Sequence, residues 1–107
     1  MSSQANSLDT LLAFDRSLRL ECEVARIAVQ DDGRNVMLLP VRGGQLTLTY
    51  KPDRISLRYE FSSLQGTSYI AYDSKGLRLP TKNHSCPMDA NGAAKYIVER
   101  LIKGKMP

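Results

Sequence analysis

Residues 45–61, QLTLTYKPDRISLRYEF, constrain the fold more than any other stretch of the chain. Two runs alternate apolar and polar residues around a Lys51-Pro52-Asp53-Arg54 turn. Successive side chains of a strand point to opposite faces, so a period of two reads as a half-buried antiparallel hairpin. Leu46, Leu48, Tyr50, Ile55, Leu57, Tyr59 and Phe61 then share one face, and Thr47, Thr49, Ser56, Arg58 and Glu60 the other. Matching the apolar faces requires an even-numbered loop, which pairs Tyr50 with Ile55, Leu48 with Leu57 and Leu46 with Tyr59.

The same logic extends in both directions, because a slip of one residue would turn every side chain to the wrong face. A two-residue Gly43-Gly44 loop sets Val41 against Leu46, Leu39 against Leu48 and Met37 against Tyr50. Upstream, Leu18, Leu20, Cys22 and Val24 also alternate, which predicts a strand from Ser17 to Val29. Asp32-Gly33 is a hairpin signal, since glycine accepts positive φ without steric cost. Downstream, a looser turn at Ser62–Gly66 leads to a strand at Thr67–Tyr72, and Ser74-Lys75-Gly76 leads to Leu77–Thr81. The spacing of turns predicts a meander of about six strands over 17–81.

This register leaves two features unaccounted for. It sets Arg26 on the core face opposite Leu39, where an unpaired charge is costly, and a β-bulge near Ala25–Ile27 is the expected relief. It also gathers Ile27, Val29, Val36 and Leu38 on the reverse face as an apolar set that either the N-terminal helix covers or a partner contacts.

Helical spacing appears at both ends. Leu8, Leu11 and Leu12 predict a short helix over 8–14 after a polar tail of seven residues. After the polar loop Thr81–Pro87, an amphipathic helix is expected over 88–103, with Ala90, Ala93, Ala94, Ile97, Val98, Leu101 and Ile102 inward and Gly104 as its C-cap. The fold class is therefore α+β: an antiparallel meander with the C-terminal helix packed on one face.

At 107 residues with 42% hydrophobic and 24% charged content, a single soluble domain is expected. No apolar run approaches the ~18 residues of a membrane span, and the start MSSQANS lacks the basic and apolar regions of a secretory signal, so the expected compartment is the cytoplasm. The net charge of +4 is uneven. Residues 1–41 carry four arginines against six acidic residues, a net −2, and residues 42–107 carry eleven basic against five acidic, a net +6.

Few residues suggest chemistry. His84 and Cys86 in NHSCP are two apart in a loop with no third group to orient the imidazole, so they read as a loop thiol and a surface imidazole. With a distant Cys22 they do not make a zinc site, and no catalytic residue, cofactor, metal or small-molecule ligand is assigned. The expected function is a small non-enzymatic interaction or regulatory module. It would bind a protein partner, or a second copy of itself as a homodimer, through the sheet, with Ile27, Val29, Val36 and Leu38 as the contact. The alternative is single-stranded nucleic acid on the polar sheet face, where Lys51, Arg54, Arg58 and Arg78 would track phosphates and Tyr69 would stack on a base.

Overall fold

The computed structural model describes residues 5–32, 35–79 and 87–104. The chain runs α1 (Ala5–Val24), β1 (Gln30–Asp31), β2 (Val36–Val41), β3 (Gly44–Tyr50), β4 (Arg54–Phe61), β5 (Leu64–Asp73), β6 (Gly76–Arg78) and α2 (Ala90–Ile102). The strands form one antiparallel sheet in sequence order, β1 to β6, so the α+β meander stands as expected. Among the described residues no helix is long and apolar enough to cross a membrane.

The hairpin of β3 and β4 has the anticipated register, with Leu46 opposite Tyr59, Leu48 opposite Leu57 and Tyr50 opposite Ile55. Between β2 and β3 the turn falls one residue earlier than expected. Arg42 and Gly43 form it, which pairs Leu39 with Leu46 and Met37 with Leu48. Gly43 has φ +90°, a conformation other L residues avoid, while Gly44 lies flat in the strand against Phe61. A Cβ on Gly44 would run into the Glu60 carbonyl and the Phe61 ring, so the second glycine gives closeness rather than the turn. The shift is by two residues along the pair, so every side chain keeps its face. The loop before β5 is also tighter than expected: Leu64 already pairs with Phe61.

The N-terminal third corrects the sequence reading. The short helix expected over 8–14 continues to Val24, and the strand expected from Ser17 is helix. Leu18 and Cys22 are buried, as alternation also required, but Leu20 is 57% exposed and Val24 81% exposed. A 3.6-residue period explains this: Leu11, Phe14, Leu18, Cys22 and Ala25 form one stripe against the core. Leucine, arginine and glutamate in LRLECE are good helix formers, and the Asp15–Arg19 ion pair joins positions i and i+4 at 2.9 Å.

Arg26 is neither inward nor at a β-bulge. It is exposed with φ +61° and ends α1 in the left-handed region. Its N–H donates to the Glu23 carbonyl (3.1 Å), and the Ile27 N–H donates to that of Cys22 (2.8 Å). These are the paired bonds of a Schellman cap, with arginine where glycine is usual. The chain then crosses to the two-residue β1, where Gln30 faces Leu38 and Asp31 faces Met37. Gly33 and Arg34, on which the expected Asp32-Gly33 turn depends, lie outside the described residues.

Both helices pack on one face of the sheet. Leu39, Leu46, Leu48, Leu57, Ile70 and Leu77 meet Phe14, Leu18, Ala94 and Ile97 in one continuous core. Asp89 caps α2 by accepting from the Gly92 N–H at 2.7 Å, and Gly104 follows its end with φ +69°. The fully buried Ala93 and Ala94 keep the helix surface low, and α2 packs chiefly on α1. The two helices run the same way. Asp9 and Ala13 share a hollow with Ala90 at one end, and Ala25 and Ile27 share one with Ile102 at the other.

The sheet is blunted at one place on each side. At β6, Leu77 and Met88 exchange backbone hydrogen bonds of 2.8 and 2.7 Å, adding a single bridging residue outside the strand. At β2, Val36 bonds outward to Asp32, so Leu38 and Pro40 also aim their backbones outward. Leu38 is met by Gln30, and Pro40 has no N–H to offer.

Candidate functional site

The face of the sheet away from the helices follows from the register. One row crosses it as Gln30, Leu38, Thr47, Arg58 and Thr67. The next is Val36, Thr49, Ser56 and Tyr69, and beyond it lie Arg54, Ala71 and Arg78. On the other side are Pro40, Gln45, Glu60 and Gln65. None of these side chains is buried, and among the described residues nothing packs over them. The face grades from aliphatic at β2, through hydroxyls at β3, to charge and one aromatic ring at β4 and β5.

The apolar set expected at Ile27, Val29, Val36 and Leu38 is divided. Ile27 and Val29 pack against the core on the helix side, because the αL residue at Arg26 turns the chain under the sheet. Val36 and Leu38 alone remain on the open face, half-buried, beside Pro40, Thr47 and Thr49. In place of the expected bulge near Ala25–Ile27, the helix cap at Arg26 brings Ile27 and Val29 inward.

The cationic set lies on the open face or at its rim, and most of it is engaged within the protein. Arg58 reaches Glu60 at 3.5 Å while remaining largely exposed, and Gln45 donates to the same carboxylate at 2.7 Å. Arg78 donates to Asp73 at 2.7 Å, and this bond, with the Lys75 N–H, holds the Asp73 carboxyl below its ordinary range. Arg54 lies over the Tyr69 ring, 5.0 Å from its centre, and the ring is 49% exposed. Lys51 continues the face at the β3–β4 turn, where its N–H bonds Arg54. So Arg54, Arg58 and Tyr69 are brought together, Lys51 borders them, and Arg78 is tied to Asp73.

A second feature was invisible to the sequence reading. Along the first half of α1 the sheet leaves two adjoining hollows of about 280 and 250 Å³, which share Leu8, Leu11, Asn35 and Tyr50. One wall is a chain of polar contacts. The Tyr50 hydroxyl donates to Asp15 (2.7 Å), Arg19 Nε donates to the other Asp15 oxygen (2.9 Å), and Arg19 also bonds Asp31 (2.5 Å). Burial, then the Asp15 carboxylate, pushes the Tyr50 hydroxyl well up, and the two carboxylates hold Arg19 firmly protonated. These groups satisfy one another and tie α1 to β1 and β3. The signal was the i, i+4 spacing of Asp15 and Arg19, which has meaning only once α1 is known to reach that far.

Cys22 is fully buried, and burial followed by the Glu21 charge pushes its thiol up to about 11, which makes it a poor nucleophile at neutral pH. His84 and Cys86 lie outside the described residues. Comparison of the chain with family models, curated proteins and solved structures finds no match.

Proposed function

We propose that this protein is a non-catalytic interaction module of the cytoplasm, and that it binds another protein surface through the open face of its sheet. The observation that supports this most is the division of the sheet. One face is sealed by two helices, while the other presents Val36, Leu38 and Pro40 beside a run of threonines with no cover among the described residues. Aliphatic and hydroxyl side chains on a flat strand surface suit sheet or peptide packing, in which main-chain order is already in place and little entropy is lost. The charged end of the face would then govern orientation more than affinity, since exposed pairs such as Arg58–Glu60 are worth little by themselves.

Chemical cross-linking in cell extract tests the reading. The wild-type chain should form adducts, with itself or with another protein, that Val36→Glu and Leu38→Glu both lose while keeping their thermal transition. Equal adducts from wild type and variants would overturn it.

One observation favours a second reading, single-stranded nucleic acid. The exposed Tyr69 ring, backed by Arg54, is a stacking platform beside Arg58 and Lys51. Against it, Glu60 shares the face and neutralises Arg58. Salt-sensitive retention of an oligonucleotide that Tyr69→Ala and Arg58→Ala both weaken would support this reading, and no retention at low salt would end it.

A further inference from the structure

We propose that the occupant of the open face is a second copy of this chain, packed sheet on sheet about a two-fold axis that runs across the strands. The proposal rests on the interaction reading and names its partner.

Size is the first argument. The strands hold 2, 6, 7, 8, 10 and 3 residues, and at about 16 Å² of sheet plane per residue they cover on the order of 600 Å² per copy and roughly 1,200 Å² for a pair. That is the lower end of specific protein interfaces, suited to a micromolar homodimer.

Self-complementarity is the second. β3 and β4 are the middle strands, and the Thr47–Arg58 and Thr49–Ser56 pairs straddle their midpoint. An axis crossing the sheet between those two rows lays each strand antiparallel over its own counterpart. Thr47 then faces Thr49 of the second copy, Val36 faces Leu38, and Arg54 faces Glu60, each correspondence occurring twice. Aliphatics meet aliphatics on β2, threonines meet on β3, and on β4 cation meets carboxylate while Arg58 faces Ser56. An axis along the strands lacks this match. It sets β3 over β4, so Lys51 faces Arg54 of the second copy and Glu60 faces only Gln45. The roughly 30° angle between aligned sheets offsets each position in proportion to its distance from the centre, by about 5 Å at Arg54 and Glu60, a gap that the long arginine side chain can span. Arg58 stays with its own Glu60, and that carboxylate then holds two guanidinium groups.

Sedimentation equilibrium of the purified chain tests this, using charge exchange. Wild type should be a reversible monomer–dimer system with a micromolar dissociation constant. Glu60→Arg, which places like charges opposite Arg54, should weaken it by about tenfold or more. The double variant Arg54→Glu/Glu60→Arg should restore affinity to near wild type, which a merely local loss of Glu60 would not do. A dimer that the double exchange fails to restore overturns the axis. A chain monomeric at about 100 µM overturns the second copy altogether, and the cross-linking experiment then separates the two ideas. Face-dependent adducts with other proteins would leave the interaction reading standing, while their absence, or oligonucleotide retention in their place, removes both.

Discussion

Arg26 holds a conformation that its side chain disfavours. A non-glycine residue at φ +61° costs on the order of 1–2 kcal/mol, and nothing at this exposed position requires the guanidinium for the cap, whose two bonds are made by backbone. Arg26→Gly should therefore stabilise the protein by about 1 kcal/mol after the extra freedom glycine gives the unfolded chain. A rise of about 4–6 °C in the thermal midpoint would show it. Cys22 makes a prediction with the opposite sign of effort. The unfolded thiol ionises near its ordinary 9.0, whereas the folded one keeps its proton to about 11. Its contribution to stability is full below pH 9 and is lost as pH rises through 11. Urea midpoints at several alkaline pH values should fall across that window, and Cys22→Ala should flatten the fall. Tyr50, also raised, loses its contribution upward in the same way, so the variant will not abolish the slope.

At the scale of elements, α1 is pinned by a polar network along one flank and by an apolar stripe beneath. Tyr50→Phe removes the hydroxyl that reaches across from β3 to Asp15, at a cost of about 1 kcal/mol. Amide exchange should quicken around Asp15 and Arg19 of α1 more than in α2. The same helix shows where reading from sequence stops. Between Ser17 and Val24, apolar residues fall at every second position, so strand and helix both place Leu18 and Cys22 inward. They differ only over Leu20 and Val24, and a surface leucine breaks no rule that a sequence can enforce. The β3–β4 hairpin had no such ambiguity, because a helix through 45–61 would have scattered its apolar residues around the axis. Local periodicity was decisive where the two templates disagreed and silent where they coincided.

For the whole molecule, the two-layer arrangement and the facing of β2 to β6 were legible, since alternation and turn spacing carry them. The candidate surface was legible only in part. Val36 and Leu38 were assigned to the outer face correctly because β2 is pinned by β3. Ile27 and Val29 were assigned to it through a strand that does not exist, and their true place depends on one positive φ at Arg26. The hollows beside α1 required the helix to be nearly three times as long as its leucines advertised.

The blunted edges have a bearing on what the protein becomes when concentrated. A sheet that could add strands at β2 or β6 would grow without limit, as ribbons and fibres do, but Pro40 offers no donor and Met88 already occupies Leu77. At these two places growth by strand addition is hindered, and the proposed pair would use the broad face instead. For the proposed pair, mass should level off at twice 11.9 kDa as concentration is raised. Pro40→Val would hand the edge a donor and is the substitution to watch for the first turbid sample.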